Sequence, residues 1–290
     1  MSAPPRRRFR ARRLALYLCL LVGVVITAMP VVYMLSTAVT PTSELRSWVP
    51  SHPTLGYFTQ VFHKMPYGRD FLNSLLYAVG SNVLVVAVST LCGFGLTRIS
   101  FRGQRWLSWL VVALLLVPLQ VEFLPLFLVI KHWPLAGGND ILGQHGHGLI
   151  NNLWALILPA AASPLGIFLM RQFFLGLPTE LDEAARVDGA GTWRIFWSVN
   201  LPLVRPAMAI LSLLSFQFTW NNYMWPLIVA SDSHVETLQL GVATFYSANQ
   251  SAGLWQLYMA AAFITLVPLL VGFVFVQRYL TETFATVGLK

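Results

Sequence analysis

Charge is scarce in this chain: Asp, Glu, Lys and Arg make up only 10% of its 290 residues. Soluble proteins carry about a quarter, so an ordinary water-facing surface is excluded. Lysine is rarer still. Lys64, Lys131 and Lys290 are the three in the sequence, and none closes a GxxxxGK[ST] loop able to cradle nucleotide phosphates. Any ATP hydrolysis must therefore come from another polypeptide. The two cysteines, Cys19 and Cys92, both sit inside apolar runs, which argues against a disulfide or a zinc site. Solenoid-length repeats are absent, as is any polar stretch long enough to fold as a second, soluble domain.

Apolar sequence is what the chain has instead. Hydrophobic residues make up 56% of it, and the mean hydropathy is +0.65. Lipid offers no hydrogen-bond partners, so a spanning segment must be a helix or part of a closed barrel, and a helix needs roughly 20 mostly apolar residues to cross. Six stretches qualify: Leu14 to Thr37, Phe71 to Leu96, Trp106 to Ile130, Leu149 to Phe174, Pro206 to Ala230 and Leu257 to Leu280. Barrel strands would be shorter and alternating. The predicted fold class is all-α and transmembrane, with six helices. It divides into a basic segment 1–13, a spanning domain 14–280 and a tail 281–290.

Basic residues orient the six helices, because positively charged loops stay in the cytoplasm. Arg6-Arg7-Arg8-Phe9 loosely matches a twin-arginine export signal, but the apolar run behind it is too long for a signal's core. With the N-terminus inside, fifteen of the nineteen Lys and Arg fall on inner segments, and only Arg46, Lys64, Arg69 and Lys131 fall on outer ones. Both termini are expected in the cytoplasm. The +8 net charge records this bias. Its arginines flank spans rather than gathering on one soluble face, so nucleic acid is no expected partner.

The inner segment between the fourth and fifth spans, 177–205, holds four of the eleven acidic residues. Thr179-Glu180-Leu181-Asp182 reads as a capping box, with Thr179 accepting from the backbone of the first turn and the acids facing the positive helix end. The helix should stop by Gly189, able to take the left-handed conformation, and Gly191 favours a tight turn. That leaves about nine residues, roughly 13 Å, marginal by itself in water. Leu181, Ala184 and Ala185 give it a low face that another surface can approach. Trp193, Phe196 and Trp197 beside Arg194 suit a membrane interface.

Within this segment, Glu183-Ala184-Ala185, three residues, Gly189, nine residues, Val199, one residue, then Leu201-Pro202 resembles the EAA loop of ABC-importer permeases, with valine for the usual isoleucine. Pro53-Thr54-Leu55 with Tyr57, Asn73-Ser74, Pro118 to Pro125, Trp220-Asn221, Pro226-Leu227 and Gln277-Arg278-Tyr279-Leu280 extend the likeness to the maltose-type carbohydrate uptake permeases. The resemblance implies a type I importer permease whose coupling helix seats in a groove of an ATPase subunit through Glu183, Ala184, Ala185, Gly189, Leu201 and Pro202. It further implies a second permease subunit, two ATP-binding subunits carrying ATP and magnesium, and an external solute-binding protein. The chain itself would hold no cofactor and no metal. In that family the tail also reaches toward the ATPases, but Phe284-Ala285-Thr286-Val287 departs from its usual glycine-rich form.

Two places suit a substrate path. Gln217, Asn221 and Trp225 recur every four residues in the fifth span, joined by Trp220 and Asn222. They form one polar and aromatic stripe, chemically suited to sugar hydroxyls and C–H faces. Helix-to-helix hydrogen bonding is the alternative role. Glu122, between Pro118 and Pro125 and near Gln120, is an acid deep in the third span and should face protein or water; a contact on the path, a buried structural hydrogen bond and a place near the outer interface each meet that requirement. It also keeps two rival functions open: a proton-coupled transporter, or a membrane enzyme pairing it with outer-loop histidines. His145-Gly146-His147 is too sparse a donor set for a metal site.

Overall fold

The structure is a computed structural model of the whole chain, and it describes residues 6–44, 50–249 and 255–287. Arg46, Trp48 and Lys290 lie outside the described residues. The described chain is helical, without strands. Four helices are long and apolar enough to cross a membrane: 13–39, 67–98, 153–175 and 255–275. The number rises to six if each of two bent pairs, 104–114 with 119–131 and 192–203 with 205–220, counts as one span.

The chain forms two compact units. One comprises residues 1–66 and 242–267. Its helix α1, Arg6–Val39, leaves its apolar side chains exposed from Leu14 to Leu35, as lipid contact requires. Helix α2, Gly56–Lys64, buries Val61, and Phe58 meets Phe263 edge-on with centroids 6.2 Å apart.

The other unit comprises residues 67–241 and 268–290 and is built on α3, Tyr67–Arg98. Against α3 pack α7, Pro164–Leu175, and α11, Arg205–Trp220. Small residues allow the close approach, as is usual between helices in lipid. A Cβ on Gly93 would sit 2.8 Å from Met170 Cβ and 2.9 Å from the Arg171 nitrogen, and one on Gly80 would sit 2.8 Å from Ile157 Cδ1. Around these contacts Phe94, Met170, Phe174, Phe196 and Leu211 close an apolar core.

Two expected spans are broken. The third divides into α4, Gln104–Leu114, and α5, Leu119–Lys131, which meet at 108°. Pro118 has no N–H to continue the ladder and holds the chain extended at φ −64°, ψ 131°. Glu122 therefore lies in the first turn of a new helix, exposed, not far along a straight one.

In the fifth, α11 ends at Trp220, and α12, Met224–Val229, begins after three non-helical residues. Pro226 cannot donate to the carbonyl four residues back, and the Asn222 side chain takes the Trp225 N–H at 3.2 Å instead. The sixth span belongs to α14, Trp255–Val287, which carries the helix past Leu280. Between these spans α13 covers Leu238–Asn249.

Candidate functional site

The segment 177–205 folds as α8, Glu180–Val187, α9, Thr192–Ile195, a π-helical turn Phe196–Asn200 and α10, Leu201–Leu203. Thr179 does not cap α8 through its side chain. It is already helical at φ −72°, ψ −23°, which turns its hydroxyl away, and its carbonyl instead accepts from the Asp182 and Glu183 amides at 3.0 and 3.1 Å.

The other end of α8 follows the glycine expectation. Gly189 takes φ +79°, its N–H donates to the Arg186 carbonyl at 3.0 Å, and the Ala190 N–H donates to the Ala185 carbonyl at 2.9 Å. This pair of bonds is the Schellman ending that satisfies the last carbonyls of a helix.

One acid of α8 turns inward. Asp182 is buried. Its Oδ1 accepts from Asn200 Nδ2 at 2.7 Å, and its Oδ2 lies 3.4 Å from Arg98 Nε. That contact is ionic without hydrogen-bond geometry at Nε. Arg98 spends Nη2 on backbone, donating to the Phe174 carbonyl at 2.9 Å and the Leu177 carbonyl at 2.7 Å. The last turn of α3 is thus tied to the end of α7, to α8 and to the π-helical turn. Nothing in the acid spacing distinguished Asp182 from Glu180 or Glu183, and no local pattern pointed to Arg98 as its partner.

With Asp182 inward, Leu181, Glu183, Ala184 and Val187 are left exposed, while Ala185 is half-buried. Val187 is the most exposed large apolar residue of the chain's described part, at 88%. Leu201 and Pro202 are half-buried, and Leu201 packs on the apolar core. Phe196 differs from expectation: it is buried against Phe94, 4.9 Å between centroids, rather than at an interface. The π-helical turn rotates it inward and leaves Trp193 and Trp197 exposed.

The residues proposed for a path do not form one stripe, because the helix carrying them breaks after Trp220. Trp220 is buried between Phe71 and Phe216, each 5.7 Å away. Trp225 is buried and donates from Nε1 to the Ala155 carbonyl at 3.0 Å. Asn222 is half-buried and donates to the Tyr77 hydroxyl at 3.3 Å. Gln217 and Asn221 remain exposed. Glu122 is exposed as well, and nearby Gln120, Phe123, Leu124, Phe127 and Ile228 line an open hollow of about 350 Å³.

Comparison with known proteins bears on this arrangement. Residues 85–284 match the family described as binding-protein-dependent transport system inner membrane component. The chain is 32% identical over 273 residues to the arabinooligosaccharides transport system permease protein AraQ of Halalkalibacterium halodurans, covering 91% of this chain and 92% of the relative. It is 34% identical over 214 residues to the sn-glycerol-3-phosphate transport system permease protein UgpE of Yersinia pestis, covering 74% of this chain and 71% of that one. Among solved structures, a bacterial ABC transporter involved in the import of the acidic polysaccharide alginate shares the fold, with a TM-score of 0.79 at 20% identity, covering 96% of this chain and 99% of that one.

Proposed function

The chain belongs to the family of binding-protein-dependent transport system inner membrane components, and from that premise we propose that it carries a sugar or a related polyol across the membrane, driven through α8 by a separate ATP-hydrolysing subunit. It is a permease subunit and a multi-pass inner-membrane protein. Six spans are counted in this reading, with α4 and α5 together making the third and α11 and α12 the fifth, and the excess of Lys and Arg on alternate segments sets both termini in the cytoplasm. The assembly contains a second permease subunit, two ATP-binding subunits that hold ATP and magnesium, and an external solute-binding protein.

The observation that carries the coupling role is the division of α8 into two faces. Asp182 is held inside, and Leu181, Glu183, Ala184 and Val187 are turned out on a helix that ends at Gly189. Exposed apolar side chains beside an acid, on a helix too short to be stable alone, suit a surface completed by a partner. The relatives named for arabinooligosaccharides and glycerol phosphate support a hydroxyl-rich substrate. Gln217 and Asn221, exposed with amides free to bond hydroxyls, are its contacts in this chain. Trp220, Asn222 and Trp225 hold the broken fifth span in shape. Glu122, exposed after the Pro118 bend, faces the path or the second permease.

Replacing Glu183 with Lys and Gly189 with Asp, separately, tests the coupling role by uptake and by co-purification of the ATP-binding subunit. Both measures should fall, and unchanged values for both variants would sink it. Asn221→Leu should alter uptake kinetics with the ATPase still bound. Uptake that survives ATP depletion but collapses with the proton gradient would instead favour a proton-coupled transporter.

A further inference from the structure

We propose that Arg98, Asp182 and Asn200 form a rigid joint that makes α8 and the last turn of α3 move as one body, so that a displacement imposed on α8 is delivered to a membrane-spanning helix. The inference rests on the coupling role of α8 and adds the route by which its motion leaves the loop.

The backbone alone would transmit such motion poorly. Helix α8 is followed by Gly189 at φ +79° and, after Ala190, by Gly191, and an added Cβ at either glycine meets nothing within 4 Å. That corner can absorb rotation without steric resistance. Side chains bridge it. Asp182 is the one acid of α8 that is buried, while Glu180 and Glu183 in the helix and Asp188 just after it are exposed. It reaches Asn200 on the far side of the glycine corner at 2.7 Å and Arg98 on α3 at 3.4 Å. The Arg98 and Asp182 side chains are only 7% and 10% exposed, so water does not loosen the pair.

Arg98 then locks the near side as well. Its Nη2 bonds to the carbonyls of Phe174 and Leu177 fix the end of α7 and the turn that leads into α8. Four segments therefore converge on one carboxylate and one guanidinium. Asn200 closes the π-helical turn, a widened backbone form found often where function constrains a helix. Stability alone gives little reason for this arrangement, because packed apolar residues commonly replace a buried ion pair without loss. What the site supplies is direction: the Asn200–Asp182 bond and the two Arg98 bonds to backbone carbonyls hold one relative placement of α3 and α8, with the Arg98–Asp182 charges drawn together between them, where apolar contacts would allow sliding.

The test uses the full transporter, with its partner subunits, in lipid nanodiscs. Cys19→Ala and Cys92→Ala clear the background, and spin labels are attached at Leu91→Cys on α3 and Arg186→Cys on α8, both exposed positions outside the face assigned to the partner. With the joint intact, the label distance should stay single and change by less than about 2 Å, the scale of ordinary helix shifts, between nucleotide-free and ATP-trapped states. A larger change overturns the joint without any joint variant being needed. Asp182→Asn should broaden that distance with ATP and lower substrate transported per ATP hydrolysed by about tenfold, with the ATP-binding subunit still bound. Asp182→Glu should restore much of that ratio. A purely structural role predicts that uptake and hydrolysis fall together, with the ratio kept.

If Asp182→Asn does not assemble, Asn200→Ser removes only the 2.7 Å bond and should lower the ratio by a smaller factor. An unchanged ratio and distance in whichever variant assembles overturns the proposal. Failure of the coupling role itself reads out separately, as Glu183→Lys and Gly189→Asp both with normal ATPase association and normal uptake.

Discussion

Gly189→Ala isolates the backbone's share of the coupling loop, because nothing but torsional strain opposes the added methyl. The residue sits at φ +79°, and a Cβ built there meets no heavy atom within 4 Å. An L side chain in this region costs about 1–2 kcal/mol, a factor of roughly 5 to 30 in a local equilibrium. Helix α8 has eight residues and little stability of its own. The strain should therefore be relieved by fraying the last turn, breaking the bonds from Gly189 N–H to Arg186 and from Ala190 N–H to Ala185. Hydrogen exchange at the two amides, followed in detergent by mass spectrometry, should accelerate roughly 5- to 30-fold, and uptake should fall with it. Gly189→Asn should accelerate exchange less, since Asn tolerates the left-handed region better. Gly191→Ala is the control: its φ of −75° and ψ of 165° suit any residue, and it also has open space. Equal acceleration in Gly191→Ala and Gly189→Ala would mean that the left-handed backbone of Gly189 is not what holds the end of α8.

Three further outcomes follow from other contacts. Gly93→Ala should destabilise the unit built on α3 by about 1–3 kcal/mol, because its methyl would press on Met170 and on the Arg171 backbone. By contrast, Gly95→Ala, with nothing within 4 Å, should leave the melting temperature in detergent unchanged or slightly raised. Trp225→Phe keeps an aromatic ring but strips the buried Ala155 carbonyl of its donor, which should cost about 1–2 kcal/mol in thermal unfolding and leave ATPase association intact. In the loop after α5, Asp140 is held below the ordinary carboxylate range by the Gln144 amide first, with Leu142, His145 and Gly143 adding to it. A lowered folded pKa means that its contribution is present above the ordinary value of 3.8 and lost as pH falls through the lower folded value. Protection of the Leu142 and Gln144 amides, corrected for intrinsic exchange, should therefore hold at pH 5 and decline on acidification below that range.

Local chemistry in the sequence determined which segments are apolar helices, and where α8 begins and ends to within a residue or two. Hydropathy sums over a window, and Gly189 carries its own conformational preference, so neither needs a tertiary neighbour. The bend at Pro118 was half legible: the missing N–H marked the place, while the 108° angle depends on what α4 and α5 pack against. The break after Trp220 was also written locally, in Asn222 and Pro226, yet the four-residue spacing of Gln217, Asn221 and Trp225 assumed an unbroken helix.

The inward turn of Asp182, by contrast, is set by packing in three dimensions. Three acids share the first turn of α8 with similar local propensity. Which of them is buried depends on a guanidinium at the end of α3 and an amide in a π-helical turn, brought together by the packing of Phe94, Phe174 and Phe196. Long-range pairing of this kind leaves no periodic trace in a single chain, because charge attraction depends on distance in space rather than on spacing in sequence.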